Sequence, residues 1–411
     1  MTSVAAAKGR VSMYEWRARV LTEAALQLGT ETIALVEADQ RDLAAAMLAP
    51  EDVPNVPVAA MDGFAVRFED LGGGAEDETV TLPVSVDLPA RPGVPAPLTP
   101  GTAARIMTGA PVPAGADTVV EVERTDAEPV GPLPAQVTIQ RDRKASLGRH
   151  VRSVGEEIRQ GEELAAAATR LGPGMIGLAL ALGITEVTVR RRARVGIVVT
   201  GDELADPAAP AAPGTVRESN GALLAAAVRA DGGEARTARC GDDTEAFCRV
   251  LEDLSRQSDL LVTTGGVGHG AYDVVKAALG PTGRGTSTFE HLALRPGGPQ
   301  GLGAVGGVPV VHLPGTPVGV VIAYHLFLRP LLDARFAHDP WPAQLIGADP
   351  ESGRASRRPG VLVQPGLLQV SAEGQLGAQV VPGKRLAPFS TADCLVLREG
   401  EGSRVHVIPL R

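Results

Sequence analysis

Hydrophobic residues recur at helical spacing near the start of the chain and again after residue 170. Apolar side chains three and four positions apart run through "SMYEWRARVLTEAALQLG" and "DQRDLAAAMLA" and return in "GPGMIGLALALGI", which predicts helices. From Pro50 the pattern changes to short β-type runs broken by Pro and Gly. We therefore predict a helical or mixed N-terminal domain of residues 1–50 and 144–190, interrupted by a β-rich domain over residues 51–143.

Strand-like and helix-like segments alternate from residue 191 to residue 336. "RVGIVVTG" precedes the helix-like "SNGALLAAAVRADGG", and "DLLVTTGG" precedes "AYDVVKAAL". Such alternation predicts an α/β domain whose mainly parallel sheet is covered on both faces. Residues 337–411 return to β-type runs, which predict a small C-terminal β-barrel or sandwich. The predicted fold class is multidomain α/β.

Composition restricts the function more than the fold. The chain has 411 residues, 3% aromatics and a net charge of −9, and this acidic balance argues against a partner made of nucleic acid. Its three cysteines show no CxxC or CxxH spacing, so we expect a reduced cytoplasmic protein. No apolar run approaches the roughly 20 residues that cross a bilayer, so no membrane association is expected.

Acidic residues follow several of the predicted strands of the α/β domain. Asp202 and Glu203 follow one strand, Asp242 and Asp243 the next, and Asp273 a third. Ligands of open parallel sheets bind at the carboxyl ends of the strands, and grouped carboxylates suit a hard cation such as Mg²⁺. Asp202, Asp242 and Asp243 are equally good helix N-caps, so both interpretations stay open for each of them.

A glycine-rich segment, "TTGGVGHGAYDVVK" (263–276), joins one of these strands to the next helix. Bare backbone at a helix N-terminus gives an anionic ligand access to N–H groups. His269 could contact a phosphate or be solvated, whereas Lys276 is expected to face solvent. Gly266, Gly268 and Ala271 also fit a dinucleotide fingerprint, but that fingerprint belongs on the first strand-to-helix turn rather than the third.

The motifs together resemble the MoeA family of molybdopterin molybdenumtransferases, which includes the gephyrin E domain. The resemblance rests on "PVAAMDGFAV", "RIMTGAPVPAGADTVV", "GEEIRQG", "VVTGDEL", "TTGGVGHGAYDVVK", "LRPGGP" and "LPGTPV", which follow in family order between about residues 45 and 330. It implies four domains, an α/β domain like MogA, and an elongated homodimer whose active sites lie between the α/β domain of one subunit and the β-rich domain of the other. It also implies a Mg²⁺-dependent reaction in which adenylylated molybdopterin is hydrolysed, AMP leaves, and molybdate enters the dithiolene.

The resemblance also implies roles for individual residues. Asp62, Thr108, Glu203 and Asp273 would be catalytic, and Asp242, Asp273 and Glu203 would hold the metal. The substrate would be bound by Gly265, Gly266, Gly268, His269, Gly270, Arg295, Pro314, Gly315 and Thr316. For Asp62 and Thr108 the competing interpretation is turn chemistry, because Asp before Gly often begins a turn.

Four positions depart from the family pattern. Gly298 stands where the family has Lys, Gly268 where it has Ser, Thr316 where it has Asn, and Phe64 where it has Tyr. The missing Lys matters most, because a desolvated oxyanion is stabilised by paired donors; Lys384 and Arg385 are candidates to compensate.

Two other functions stay open. The first is a divergent paralogue that binds molybdopterin or its metal-loaded form without catalysis, and the second is a nucleotide-dependent oxidoreductase. For the transferase, the implied protein partners are the molybdopterin adenylyltransferase that supplies the substrate and the molybdoenzyme apoproteins that receive the product.

Overall fold

The computed structural model describes residues 10–72, 79–140, 146–210, 212–268, 273–336, 341–342, 344–345, 360–370, 374, 376–383, 385–399 and 405–410. It divides into two compact units, which we name the insert unit (Thr30–Arg190) and the main unit (Met1–Gly29 with Arg191–Arg411). His269, Gly270 and Lys384 lie outside the described residues.

The first helix, α1 (Met13–Glu23), begins with a capping box. The Ser12 side chain accepts a hydrogen bond from the helix backbone, and Glu15 accepts one from the Ser12 N–H. Its buried residues Met13, Trp16 and Val20 pack into the core of the main unit. The helix thus belongs to the main unit, whereas the predicted layout grouped residues 1–50 with residues 144–190.

The insert unit is built mainly from strands. They are β1 (Thr30–Ala34), β2 (Met47–Leu48), β3 (Val58–Ala59), β4 (Gly63–Val66), β5 (Thr79–Leu88), β6 (Ala103–Ile106), β7 (Thr118–Glu121), β8 (Gln136–Gln140), β9 (Val151–Arg152), β10 (Glu163–Ala165) and β11 (Glu186–Arg190), with helix α2 at Pro173–Ala181 and 3₁₀ turns at Leu35–Glu37, Phe68–Leu71 and Val122–Arg124. A five-stranded sheet runs in the order β7-β4-β6-β5-β8, and β1–β11, β2–β10 and β3–β9 form separate pairs. Phe64, Val120 and Ile139 lie in the core on one face of the larger sheet.

The helix predicted over "DQRDLAAAMLA" is wrong. These residues form turns, isolated bridges and the short strand β2. The Leu43 N–H donates to the carbonyl of Thr169, and the Asp42 carboxylate pairs with both ends of the Arg170 guanidinium at 2.7 and 2.9 Å. Pairing with a segment more than 120 positions away overrides the local helix propensity of the alanines.

The next part of the main unit alternates strands and helices. Its elements are β12 (Arg194–Thr200), β13 (Leu204–Ala205), β14 (Val216–Arg217), α3 (Asn220–Ala230), β15 (Glu234–Cys240), α4 (Thr244–Ser255), β16 (Leu260–Thr264), α5 (Val274–Leu279), β17 (Ser287–His291), β18 (Leu294–Arg295), β19 (Pro299–Val305), β20 (Val308–Leu313), α6 (Pro317–Ala323), a π-helical turn at Tyr324–Leu328, α7 (Arg329–Leu332) and a 3₁₀ turn at Ala334–Phe336. The sheet order is β15-β12-β16-β20-β19-β17. Every residue of β16 is buried, as expected for a strand covered on both faces.

The sheet is mixed rather than fully parallel. β15, β12, β16 and β20 pair in parallel, while β19 runs antiparallel to both β20 and β17. β17 therefore points the same way as the four parallel strands, so its end lies at the same edge of the sheet. The sequence pattern missed β19, because "PQGLGAV" contains two glycines and only one β-branched residue.

The C-terminal part of the main unit forms a second sheet. Its elements are β21 (Trp341–Pro342), β22 (Gln344–Leu345), β23 (Val361–Val370), β24 (Leu376–Val380), α8 (Leu386–Ser390), β25 (Cys394–Glu399) and β26 (Val405–Pro409), and the strand order is β21-β26-β25-β23-β24-β22. A buried polar network links it to the α/β part: Asp231 accepts hydrogen bonds from Tyr324 at 2.6 Å and Arg329 at 3.0 Å, and Arg329 donates to the carbonyl of Pro409. None of the helices in the described part of the chain is long and apolar enough to span a membrane.

Candidate functional site

The glycine turn leaves β16 at the carboxyl edge of the six-stranded sheet. Gly265 has φ +97°, and a Cβ there would lie 2.8 Å from the backbone oxygen of Thr200, so only glycine fits without displacement. The turn that follows β20 touches it, because a Cβ at Gly315 would lie 3.3 Å from the Cα of Gly265. The structure thus brings Gly265, Gly266, Pro314 and Gly315 together at one edge, as the motifs predicted.

Two buried side chains support these turns. Asn220, the first residue of α3, donates from its amide to the hydroxyl of Thr264 at 3.1 Å and to the carbonyl of Gly315 at 2.8 Å. The Thr264 hydroxyl in turn donates to the carbonyl of Pro314 at 2.8 Å. Asn220 was not among the predicted site residues, although its position at the helix that follows the first strand of the sheet was a signal.

The carboxylates that follow β12 and β15 are tied to each other's backbone. Asp202 accepts from the N–H of Asp242 at 3.1 Å, and Asp242 accepts from the N–H of Asp202 at 3.4 Å. Asp243 instead caps α4, accepting from the Ala246 N–H at 2.7 Å, so for this residue the capping interpretation is confirmed. The Glu203 carboxylate folds back over Gly201, whose Cβ position would lie 2.6 Å from it.

Asp273 and Lys276 lie on the far side of the glycine turn. Asp273 occupies the N-cap position of α5, but its side chain makes no capping hydrogen bond. Lys276 does not face solvent as expected, because its ammonium group donates to the carbonyl of Gly268 at 3.2 Å and lies 6.0 Å from the ring centroid of Phe289. A cation bound to the turn's own backbone increases the positive potential there.

Arg295 and Thr316, two of the predicted substrate-binding residues, lie on different elements of the main unit. Arg295 lies in β18, which pairs with β23 of the C-terminal sheet rather than with the α/β sheet. Thr316 is the N-cap residue of α6, and its hydroxyl fills the space where a Cβ of Gly319 would lie. Gly298 faces the imidazole of His291, since a Cβ at residue 298 would lie 2.9 Å from Nε2.

In the insert unit, Asp62 and Thr108 meet across the ends of β4 and β6. Oδ1 of Asp62 accepts from both the hydroxyl and the N–H of Thr108, each at 2.7 Å. The hydroxyl bond, and after it the backbone bond, lowers the pKa of Asp62, so this exposed carboxyl is ionised at neutral pH. The structure thus joins Asp62 and Thr108 although they lie 46 positions apart, and neither of these bonds is one within a local turn.

The donor set for a metal is sparse. Among the described residues, no three His, Cys, Asp or Glu side chains are grouped so that they could hold an ion. Mg²⁺ is commonly bound through one or two carboxylates and the phosphates of a substrate, with water completing the shell. The exposed carboxylates at this edge fit that arrangement and do not form an all-protein cage.

The fold and the turns define an α/β protein with a glycine-lined site at the carboxyl edge of its sheet. Residues 196–334 match the family model described as a probable molybdopterin binding domain, and residues 11–183 match that of the MoeA N-terminal region (domain I and II). The chain belongs to the molybdopterin molybdenumtransferase family.

Related proteins cover most of the chain. Molybdopterin molybdenumtransferase 2 of Mycobacterium tuberculosis (strain H37Rv) is 41% identical over 320 residues, covering 76% of this chain and 77% of the relative. The molybdopterin molybdenumtransferase of Synechococcus elongatus is 36% identical over the same shares of each chain. The crystal structure of the molybdopterin biosynthesis MoeA protein of Pyrococcus horikoshii matches with a TM-score of 0.79 at 26% identity, covering 98% of this chain and 99% of that one, which confirms the predicted MoeA-like fold but not the predicted domain boundaries.

Proposed function

We propose that this protein inserts molybdate into adenylylated molybdopterin and releases AMP, the last step in forming the molybdenum cofactor. The observation that carries the proposal is the contact between the turns at Gly265 and Gly315 beside the carboxylates of β12 and β15, in a chain of this family. Such a surface suits a ligand that carries phosphate on one side and a cation on the other.

The glycine turn is proposed to bind the phosphate portion of the pterin substrate. A Cβ at Gly265 or Gly266 would meet Thr200 or Val275, so the glycines let the turn pack closely against its neighbours, and the ammonium group of Lys276 adds a positive charge to it. Gly268 and Arg295 complete the described part of the proposed binding set, with Pro314, Gly315 and Thr316 on the adjoining turn. His269 and Gly270 stay in the proposal as sequence predictions, because they lie outside the described residues.

Glu203, Asp242 and Asp273 are proposed to hold Mg²⁺ together with the phosphates. Bound there, the ion would neutralise charge on the phosphoanhydride during its hydrolysis. Asp242 already holds the backbone after β12 in place through Asp202, which keeps its position defined before any ligand arrives. Because only a few carboxylates are involved, we expect Mg²⁺ to bind weakly without substrate.

Asp62 and Thr108 are proposed to be catalytic. Both bonds from Thr108 reach Oδ1, so Oδ2 is the oxygen that the carboxylate presents to a ligand or to the attacking water. A carboxylate with a lowered pKa is a weak base. Its proposed role is therefore to orient the ligand or the attacking water rather than to keep a proton.

The test is AMP release from adenylylated molybdopterin in the presence of Mg²⁺, measured with and without molybdate. Catalytic release that requires molybdate is expected, and Asp273→Ala should abolish it while the protein stays folded. Unchanged AMP release by that variant would show that Asp273 is not part of the site.

We also propose a cytoplasmic homodimer that receives substrate from the adenylyltransferase and passes product to molybdoenzyme apoproteins. Light scattering, cell fractionation and pull-down with those proteins would test this.

A second candidate is a protein that binds molybdopterin without turnover. One observation favours it: the position of the family lysine is occupied by Gly298, and the space for its side chain is filled by His291. Tight binding of molybdopterin with no AMP release would establish that function.

The oxidoreductase alternative loses support, because the glycine turn follows β16 rather than the first strand of the sheet. A titration with NADH would test it directly.

A further inference from the structure

Asn220 bonds to both of the turns at the carboxyl edge: to Thr264, which leads into the turn after β16, and to Gly315 in the turn after β20. It is 6% exposed, and the Thr264 that receives one of its bonds is fully buried. Its two amide hydrogens go to the Thr264 hydroxyl and the Gly315 carbonyl. The amide therefore links the turn after β16 to the turn after β20.

The orientation of this amide is fixed by its acceptors. The carbonyl of Gly315 can only accept, so the NH₂ group must face it, and Oδ1 must point the other way. Oδ1 of Asn220 is buried and has no hydrogen-bond partner in the structure, and the same holds for Oγ1 of Thr200, which lies 3.0 Å from the Cβ position of Gly265. An unsatisfied buried oxygen costs about 1–3 kcal/mol, so stability alone does not explain why a polar residue stands here.

We propose that Asn220 is a positioning residue. Acting through Thr264 and Gly315, it sets the spacing of the two turns, and this spacing determines how the turn N–H groups meet an anionic ligand. The inference rests on the proposed function only in taking that ligand to be the phosphate portion of molybdopterin. The contact between Gly265 and Gly315 is the structural quantity that Asn220 controls.

β16 supplies a matched pair of variants. Thr263 and Thr264 are neighbours, both 0% exposed, and both use their hydroxyl in a 2.8 Å hydrogen bond. The Thr263 hydroxyl instead bonds to Nδ1 of His312. Thr264→Val removes the acceptor of Asn220, whereas Thr263→Val removes an equally buried hydroxyl from the same strand.

The experiment compares Asn220→Ala, Thr264→Val, Thr264→Ser and Thr263→Val. The first measurement is amide hydrogen exchange in the ligand-free protein. We expect exchange at Gly265, Gly266 and Gly315 to accelerate about tenfold in Asn220→Ala and Thr264→Val. Thr264→Ser and Thr263→Val should leave these amides unchanged. Equal acceleration in Thr263→Val and Thr264→Val would overturn the inference, because it would show a general loosening of β16.

The second measurement is the dissociation constant for molybdopterin, followed by pterin fluorescence. It should rise about tenfold in Asn220→Ala and Thr264→Val and should return to the wild-type value in Thr264→Ser. Changed exchange with an unchanged dissociation constant would overturn the role in positioning. Wild-type protein that neither binds molybdopterin nor releases AMP would refute the proposed function instead, and the exchange data would still decide whether Asn220 sets the turns.

Discussion

The glycine turn of the main unit and the Asp62–Thr108 pair of the insert unit bring polar groups together by different means. The turn is held by buried side chains drawn from α3 and β16, and its glycine touches the backbone of a neighbouring strand. The Asp62–Thr108 pair is exposed and rests on two hydrogen bonds at the ends of adjacent strands. Changes in the first region should therefore affect stability and binding together, whereas changes in the second should affect chemistry alone.

The largest effect is expected from Gly265→Ala. The new methyl group would lie 2.8 Å from a backbone oxygen at φ +97°, so we expect a loss of about 3 kcal/mol in the free energy of unfolding and loss of molybdopterin binding. Trp16 is fully buried in the core of the main unit, so tryptophan fluorescence during denaturant unfolding reports on this unit.

Gly109→Ala is the matched control in the insert unit. Gly109 also has positive φ, +78°, but nothing lies within 4 Å of its Cβ position. It should cost only about 1–2 kcal/mol, measured by circular dichroism because the insert unit contains no tryptophan, and leave the tryptophan transition unmoved. If Gly265→Ala and Gly109→Ala lost the same stability, the close approach of Gly265 to the backbone of Thr200 would not explain the loss.

Asp62→Asn should separate chemistry from stability. We expect AMP release to fall about 100-fold, because the carboxylate charge is lost where the reaction needs it, with less than about 0.5 kcal/mol change in stability. Asp126 offers a control of the same construction: it is exposed, accepts from the N–H of Thr138 at 2.7 Å, and has a pKa lowered first by that backbone bond. Asp126→Asn should keep full activity. An equal loss of activity in both variants would mean that the total charge of the insert unit matters, and not the position of Asp62.

The pH dependence of stability should arise in the main unit. His312 is fully buried between the hydroxyls of Thr263 and Ser287, at 2.8 and 2.9 Å, and burial lowers its pKa to about 3. A histidine that is neutral when folded contributes stability above its unfolded pKa of about 6.5 and loses it as the pH falls toward 3. From pH 6.5 to pH 5 this should cost about 1.5 kcal/mol in the free energy of unfolding, followed by the tryptophan transition.

His312→Gln checks this assignment. The variant should be less stable at every pH, but its stability should fall less between pH 6.5 and pH 5. If the stability of the variant fell with pH as steeply as that of the wild type, a group other than His312 would be titrating.

The sequence was a good guide to the glycine turn for a physical reason. The turn lies between a fully buried strand and an amphipathic helix, both of which are encoded locally, and parallel strands bring their ends to one edge. The contacts of Asn220 and Lys276 could not be predicted in the same way. Asn220 reaches Gly315, 95 positions away, and Lys276 turns back onto Gly268, and neither contact leaves a periodic pattern.

The two errors in predicted secondary structure have different causes. The helix predicted around Leu43 was decided by a partner far along the chain, whereas β19 was missed although it pairs with β20, the next strand. Local propensity was outweighed in the first case and absent in the second. Conversely, the N-cap of Asp243 was predictable, because its acceptor lies only three residues from the donor.

The smallest expected effect tests the departure at Gly298, which belongs to the main unit. Gly298→Lys restores the family residue, and we expect it to lower the molybdate concentration needed for half-maximal AMP release about threefold, because a second donor meets the oxyanion. The structure adds a condition: the new Cβ would lie 2.9 Å from Nε2 of His291 and 3.3 Å from the carbonyl of Leu292. The imidazole must therefore move aside.

The double variant Gly298→Lys, His291→Ala removes that obstacle and should show the larger gain. His291→Ala alone is the control and should leave the molybdate dependence as it is. If the lysine changed nothing even with the space opened, residue 298 would lie outside the oxyanion site. A loss of activity in His291→Ala alone would mean that the imidazole itself had taken over the role of the missing cation. The main unit would then supply a cation to the reaction, whereas the Asp62–Thr108 pair of the insert unit supplies a carboxylate.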